Sequence, residues 1–364
     1  MNRRAFVRNA AVGAAALHLP AALSPESLRP FATRVPQGKP DALIMDAMGE
    51  LRAEYDVPLI KDMLGSGLDA ITVTLCDPKF DGAEALQEAI NGLLDYDRLI
   101  ARTPQFFLKA TTVADVDRAR KAGKLAVFYL YQNTTQFGND LDRVDLFYSL
   151  GLRSCQLTYN DKNLAGAGCR SAGGRLTAFG RQLIERMNQR RMLLDLSHVH
   201  MDTMADAIAA SSAPAHISHT GCAAVHPHLR NTTDANLKAL ADKGGVVGIC
   251  QIRPFITDRK HDNLGDYIDH IDHAIRVAGI EHVCIGSDRD HRRIELTPEY
   301  IAQLKKEEGP QFTDAELPLF LDALNGPRRM ETIWDALRRR GHPEDHVEKV
   351  MGLNLYRLYR DVIG

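Results

Sequence analysis

The sequence predicts an α/β fold built as one (β/α)8 barrel (TIM barrel), and two observations support this prediction. Eight short apolar runs recur along the chain, and amphipathic segments with helical spacing separate most of them. The runs lack the apolar–polar alternation of a half-exposed sheet, as is typical of parallel strands that are covered on both faces. Eight strands are also the number that a closed barrel requires. The predicted strands are residues 42–48, 70–75, 124–131, 154–159, 193–197, 215–218, 245–251 and 282–287.

The segments between these runs are predicted to form the helices of the barrel's outer layer. One of them shows clear end signals, because Thr233 or Asp234 can cap its start and Gly244 and Gly245 stop it. Residues 288–364 are expected to add further helices that pack against the barrel wall. Residues 39–364 are therefore expected to form a single (β/α)8 barrel domain, with no internal repeat. The predicted helices are residues 82–101, 113–122, 141–150, 177–189, 201–210, 234–243 and 266–278.

Composition excludes several classes of partner. The 364 residues include 45 basic and 47 acidic side chains, and the formal net charge is −2. This near balance of basic and acidic side chains does not indicate binding to nucleic acid or to an anionic membrane surface. Beyond the N-terminal segment, no apolar run is long enough to span a bilayer. The six cysteines contain no CxxC pair, so the sequence indicates neither a zinc ribbon nor a disulfide scaffold.

The N-terminal segment has the order of an export signal. Arg3 and Arg4 are followed by Phe6 and then by an alanine-rich apolar stretch, as in signals of the twin-arginine type. Residues 1–24 are accordingly predicted to be the signal and residues 25–38 a linker, which predicts a periplasmic or otherwise exported protein. An amphipathic N-terminal helix is the alternative.

Two histidines follow neighbouring predicted strands. His198 comes after the fifth run and His219 after the sixth, so both are expected at the edge of the barrel where ligands bind. Paired neutral imidazoles suit zinc and leave coordination positions for water. Two strand-end histidines that are merely hydrogen-bonded are the alternative.

The other strand ends add polar and titratable residues that are expected to face the same pocket. Glu50 follows the first run, Gln132 the third and Tyr159 the fourth, while Arg230 stands in the loop after the sixth and Asp288 after the eighth. An acidic residue at the end of the last strand is costly without a partner. Asp288 is therefore the strongest candidate after the two histidines.

Several motifs resemble the membrane (renal) dipeptidase family of zinc peptidases, in order and spacing. They are DLSHVHMDTM, HISHTGCAAVHPHLRN with TTDANLKALADKGGVVGI, HVCIGSDRD and the closing GLNLYRLYRD. The resemblance implies a barrel of the metal-dependent hydrolase type that cleaves dipeptides or related amides at a two-zinc centre. By position it implies that His198 and His219 hold the second zinc, that Arg230 clamps the substrate carboxylate and that Asp288 is the acid/base residue. A homodimer is a further expectation from the family.

The departures from the family pattern concern the first metal. Met48 and Glu50 stand where the family has the histidine and aspartate of HxD, and Gln132 stands where it has a bridging glutamate. Tyr159 replaces a histidine that contacts substrate. A thioether is a poor zinc ligand, and a neutral amide screens two divalent ions poorly. We therefore expect one zinc ion, held by His198 and His219 with a third ligand from Asp288, Glu50 or the Gln132 amide oxygen.

Three functions remain open from the sequence. The first is a single-metal hydrolase that acts on a dipeptide or related amide. The second is an exported enzyme of the same fold that tailors a peptide-derived metabolite, and the third is an inactive homologue that only binds its ligand. The retention of His198, His219, Arg230 and Asp288 argues against the third.

Overall fold

The computed structural model describes residues 42–309 and 312–364. The predicted export signal, the whole predicted linker and residues 39–41 of the predicted domain lie outside these ranges, so the signal and linker assignments stay predictions. In the described part, no helix is both long and apolar enough to cross a membrane, and all six cysteines are free thiols.

Eight parallel strands close into a barrel, which confirms the predicted fold. The strands are β1 Met45–Gly49, β2 Ala70–Thr74, β3 Phe107–Lys109, β4 Leu125–Tyr131, β5 Leu152–Gln156, β6 Leu193–Asp195, β7 His216–Thr220, β8 Val246–Ile249 and β9 Val283–Ile285. The pairing runs β1–β2–β4–β5–β6–β7–β8–β9 and returns from β9 to β1 through the pair Asp46 and Ile285.

Among the strands of the described residues, β3 is the one that the sequence analysis missed. It is three residues long and pairs with residues 125–127 of β4, before the part of β4 that pairs with β5. A segment this short contains no full period of apolar residues, so its pattern cannot distinguish a strand from a loop.

The helices surround the barrel in the expected order. They are α1 Val57–Gly65, α2 Gly82–Arg102, α3 Val113–Lys121, α4 Asp142–Ser149, α5 Ala178–Gln189, α6 Met201–Ala210, α7 Asp234–Asp242, α8 Arg253–Ile256, α9 Leu264–Ala278, α10 Pro298–Glu308, α11 Arg329–Arg340, α12 Glu344–Glu348 and α13 Asn354–Val362, with a π-helical turn at Lys349–Leu353 between the last two.

Helix α7 shows how the local sequence sets the ends of a helix. The Thr233 hydroxyl accepts a hydrogen bond from the backbone N–H of Asn236 at the start, as expected of an N-cap threonine. After the helix, Gly244 has a φ of 80°, a left-handed conformation that favours glycine. The chain then turns back into β8, which places the end of that strand beside the predicted pocket.

The core fills both the barrel and the space between the barrel and its helices. All seven residues of β4 are buried, as expected of a strand that is covered on both faces. The C-terminal helix α13 closes the amino end of the barrel wall, where Tyr359 packs edge-on against Phe128 and bonds to the hydroxyl of Thr72. The expectation that the C-terminal residues add helices against the wall is confirmed.

Candidate active site

The two predicted histidines meet at the carboxyl ends of β6 and β7. The Nε2 atoms of His198 and His219 lie 3.0 Å apart, and both side chains are buried. Burial and the positive charge of Arg230 lower the pKa of His219 to about 3. Burial, the positive charge of Arg230 and the neighbouring His219 hold the pKa of His198 well below its usual value. Both imidazoles are therefore neutral at physiological pH.

Hydrogen bonds to the other ring nitrogens decide how the two imidazoles present their lone pairs. The Nδ1 atom of His198 lies 2.7 Å from the amide oxygen of Asn160, so this nitrogen bears the proton. The Nδ1 atom of His219 lies 2.8 Å from the Ser218 hydroxyl, which donates its own hydrogen to Asp195. The network thus assigns the proton of each ring to Nδ1 and leaves two Nε2 lone pairs facing each other.

Asp195 accepts the hydrogen bonds that hold Ser218, the hydrogen-bond partner of His219, in place. Its carboxylate accepts hydrogen bonds from the hydroxyls and backbone N–H groups of Ser197 and Ser218. Burial by itself would raise the pKa of Asp195, but His216, His219 and these hydrogen bonds outweigh it and lower the pKa. Sequence analysis missed Asp195, Ser218 and the role of Asn160. The one available signal was an acidic residue three positions before a strand-end histidine.

Two glycines make room for this arrangement, Gly248 in the adjacent strand β8 and Gly286 directly after β9. A Cβ atom at Gly248 or Gly286 would lie 2.1 or 1.7 Å from the backbone oxygen of Ser218. Any larger residue would push β7 away from its neighbours, and His219 with it.

Tyr159 and Arg230 flank the histidine pair. The ring of Tyr159 stacks on His198 with 4.3 Å between centroids. Arg230 is buried, donates one hydrogen bond from Nη2 to the backbone oxygen of His219 and lies over the ring of Phe255. Its Nε hydrogen has no acceptor among the described residues. A buried guanidinium with an unused donor is suited to an anionic group of a ligand.

Asp288 follows β9 in a left-handed backbone conformation, with a φ of 53°. Its N–H donates to the backbone oxygen of Met48, which fixes the residue against β1. Burial and the Asp288 carboxylate raise the pKa of the Cys250 thiol, whereas the charge of Arg230 lowers it. Asp288 and Arg230 therefore both lie near this cysteine. His198 and Asn160 also have positive φ values, of 63° and 52°. Non-glycine residues in this conformation concentrate at functional sites.

Arg289 and Arg292, which follow Asp288, have structural contacts. Arg289 is buried and donates to the backbone oxygen of Leu319 and the amide oxygen of Asn325, and Arg292 pairs with Asp290. Arg289 therefore holds the C-terminal segment against the barrel.

Glu50 and Gln132 are the remaining candidates from the sequence. The Glu50 carboxylate forms an ion pair with Arg52, and Gln132 is buried beside Gln156, which donates to its backbone oxygen. In residues 42–309 and 312–364, no three His, Cys, Asp or Glu residues form a group that could hold a metal ion. The assignment of Glu50, Gln132 or Asp288 as the third ligand therefore stays a prediction.

Comparisons with known proteins decide the family. The sequence profile of the membrane dipeptidases, peptidase family M19, matches residues 39–301. The chain belongs to this family. An uncharacterized dipeptidase of Schizosaccharomyces pombe is 32% identical over 66% of this chain and 54% of its own length, and the dipeptidase tcpJ of Claviceps purpurea is 28% identical over 68% and 53%. The chain thus spans about half the length of these curated relatives.

Solved structures agree with the family assignment. An amidohydrolase from Pseudomonas aeruginosa has a TM-score of 0.78 at 28% identity, covering 89% of this chain and 97% of its own. A metallopeptidase from Rhodobacter sphaeroides, bound to a phosphinate mimic of L-Ala-D-Ala, has a TM-score of 0.74 at 20% identity, covering 88% and 99%. The second likeness supports the barrel fold alone.

The histidine pair fits one metal ion, whereas the rest of the site does not fit two. Two Nε2 acceptors 3.0 Å apart repel each other unless a cation lies between them, and each ring has the hydrogen-bonded Nδ1 that metal-ligating histidines require. At the first-metal position, Met48 and Gln132 offer a thioether and an amide, and the Glu50 carboxylate is paired with Arg52. These donors cannot neutralise a second divalent ion.

A buried histidine beside this site gives a testable pH dependence of stability. His270 accepts a hydrogen bond from the backbone N–H of Cys222 and donates to the backbone oxygen of Ile256. Burial lowers its pKa to about 4. In the unfolded state this histidine binds a proton more tightly than in the folded state. The contribution of the buried, neutral His270 to the free energy of unfolding is therefore complete above pH 6.5 and is lost as the pH falls towards 4. Between pH 7 and pH 5 the loss is about 2 kcal/mol.

The measurement is the free energy of unfolding in urea across this pH range. His270→Gln should flatten the pH dependence, whereas His261→Gln, which alters an exposed histidine, should leave it as in the wild type. An unchanged pH dependence in His270→Gln would contradict the assignment.

Proposed function

We propose that this chain is a dipeptidase-like hydrolase that uses a single divalent metal ion, in the zinc class, to cleave a dipeptide or a closely related amide. The observation that supports this most strongly is the converging pair of neutral Nε2 atoms of His198 and His219, each with its Nδ1 held by a hydrogen bond. Family membership supplies the substrate class. The periplasmic or otherwise exported location predicted from residues 1–24 belongs to the same proposal.

The metal ion would be held by His198 and His219 with a third ligand from Asp288, Glu50 or Gln132. When bound, it lowers the pKa of water and polarises the substrate carbonyl. Asp288 takes the proton of the attacking water and delivers it to the leaving nitrogen, as a general base and then a general acid. Its fixed backbone beside β1 keeps the carboxylate in place during both transfers.

Arg230 orients the substrate. Its guanidinium is held by Phe255 and the backbone oxygen of His219, and its unused Nε hydrogen is available for the terminal carboxylate of a dipeptide. The stacked rings of Tyr159 and His198 form the adjacent wall. Because the substrate is held by its carboxylate, its amide bond is oriented for attack.

The direct test is metal analysis of the purified chain together with turnover of L-alanyl-L-alanine before and after chelation. We expect about one zinc ion per chain and turnover that chelation removes and zinc restores. Turnover that survives complete removal of metal would contradict the proposal. Bound metal without any amide hydrolysis would favour the second function, a tailoring enzyme on the same fold.

Restoring the first-metal ligands tests why only one ion is expected. The triple variant Met48→His, Glu50→Asp and Gln132→Glu should raise the metal content from about one to about two ions per chain, because it supplies imidazole and carboxylate donors. The same triple variant with His219→Ala should bind fewer ions than the triple variant alone. No gain in metal by the triple variant would show that these three positions do not form a metal site.

A further inference from the structure

Two arginines at the candidate site have no carboxylate partner in the described part of the chain. Arg230 is buried with an unused Nε hydrogen. Arg170 is exposed, and no ion pair or side-chain hydrogen bond joins it to any described residue, including the exposed Asp161 on the same loop. Most other arginines near the pocket are neutralised or held, as Arg52 is by Glu50 and Arg292 by Asp290.

The loop after β5 fixes the backbone of Arg170 against the histidine pair. The N–H of Arg170 donates to the backbone oxygen of Asn160 at 2.7 Å, and the N–H of Cys169 donates to the backbone oxygen of His198 at 2.8 Å. Asn160 also bonds to the ring of His198. A Cβ atom at Gly168 would lie 2.3 Å from the backbone of Asn160, so the two segments touch directly. Arg170 is therefore held at the rim of the pocket.

The charge of Arg170 reaches the loop that carries Arg230. Burial and Arg230 are the main causes that lower the pKa of His228, and Arg170 contributes to this shift. His228 lies on the opposite loop, where its Nδ1 atom accepts a hydrogen bond from the N–H of Arg230. Arg170 and Arg230 thus act on the same small volume, one from the solvent side and one from within.

The site has two arginines that form no ion pair with a described carboxylate, whereas a dipeptide with uncharged side chains offers only one carboxylate. Under the proposed function, Arg230 binds the terminal carboxylate, which leaves Arg170 at the entrance without an anion. An unpaired cation at the mouth of a cleft attracts ligands of the opposite charge.

We propose that Arg170 forms a rim subsite for a second acidic group, so that the preferred ligand is a dipeptide-like molecule with a side-chain carboxylate in addition to its terminal carboxylate. This inference rests on the proposed function for the placement of the terminal carboxylate at Arg230. The selective element is the loop that holds Arg170 against Asn160 and His198.

The test is calorimetric binding of matched dipeptides to the purified full chain at low ionic strength. The probes are L-Ala-L-Glu with its amide counterpart L-Ala-L-Gln, and L-Glu-L-Ala with L-Gln-L-Ala. We expect at least one acidic dipeptide to bind about fivefold more tightly than its amide, since an exposed ion pair contributes about 1 kcal/mol. The preference should shrink in about 0.5 M salt because the subsite is open to solvent.

Arg170→Gln should abolish this preference without changing the affinity for L-Ala-L-Gln. Arg181→Gln is the matched control, because Arg181 is also exposed and forms no ion pair with a described residue, and it should keep the preference. Equal binding of acid and amide by the wild type, a preference that persists in Arg170→Gln, or no binding of any of the four dipeptides would overturn the inference.

Failure of this inference is distinguishable from failure of the proposed function. Metal-dependent turnover of L-alanyl-L-alanine without any acidic preference would overturn the rim subsite alone. An acidic preference that depends on Arg170, in a chain that hydrolyses no amide, would overturn the hydrolase alone.

Discussion

Replacing His219 by alanine is expected to remove both the metal and the activity. His219 provides one of the two converging Nε2 atoms, and a lone imidazole at His198 leaves the ion with a single strong ligand. We expect the metal content to fall from about one ion per chain to nearly none. Turnover of L-alanyl-L-alanine should fall at least about a thousandfold, since the metal contributes several kcal/mol to the transition state.

His200→Ser is the matched control for this variant. His200 stands two positions after His198 in the same HxH sequence, but its side chain caps the start of α6 by accepting a hydrogen bond from the N–H of Asp202. Serine can also cap a helix, so this variant should keep its metal and its activity. Loss of metal from His200→Ser together with retention by His219→Ala would assign the ligands the other way and contradict the site described above.

Arg329→Met is expected to destabilise the fold by about 3–5 kcal/mol, because it removes one partner of a buried charge pair. Arg329 reaches from α11 into the barrel with no exposed side-chain surface, and its Nη2 atom lies 3.6 Å from Asp46. The guanidinium also donates to the Ser287 hydroxyl and to the backbone oxygens of Arg289 and Asp290. These three residues surround Asp288, so kcat should fall as well.

The neighbouring Arg328 gives a control of the same residue type. It pairs with Glu331 on the surface, where 48% of its side chain is exposed, and Arg328→Met should therefore cost less than about 1 kcal/mol. The measurement is urea unfolding of both variants at pH 7, with turnover of L-alanyl-L-alanine as the second measurement. Similar losses of stability in the two variants would show that the buried contacts of Arg329 stabilise the fold no more than the surface ion pair of Arg328 does.

Most of the fold could be predicted from the sequence because its signals are local. Most of the barrel strands overlap short, mainly apolar runs, and β4 is predicted within one residue at its start. Helix α6 has the bounds that its apolar spacing predicts, Met201–Ala210. Strand β3 was missed because three residues show no period, and its pairing depends on the adjacent edge of β4.

The candidate site was predictable only in part. A barrel places the residues after its strands at one edge, so His198 and His219 could be expected to meet. Which nitrogens face each other depends on Asn160 and on the Ser218–Asp195 pair, and these contacts join segments that are distant in sequence. The roles of Arg289 and Arg329 could not be read from the sequence either, because their partners lie on the C-terminal segment and on the end of β9.

The sequence by itself determined the barrel, the family resemblance and the edge at which the polar residues gather, since apolar periodicity and motif spacing are properties of the chain alone. The tertiary structure decided which of those residues act together. It brought His198 and His219 to 3.0 Å, paired Glu50 with Arg52 and left Arg170 without a partner at the rim among the described residues. The physical reason is that the protonation and pairing of a side chain depend on the burial and charges around it, and folding supplies these from all parts of the chain.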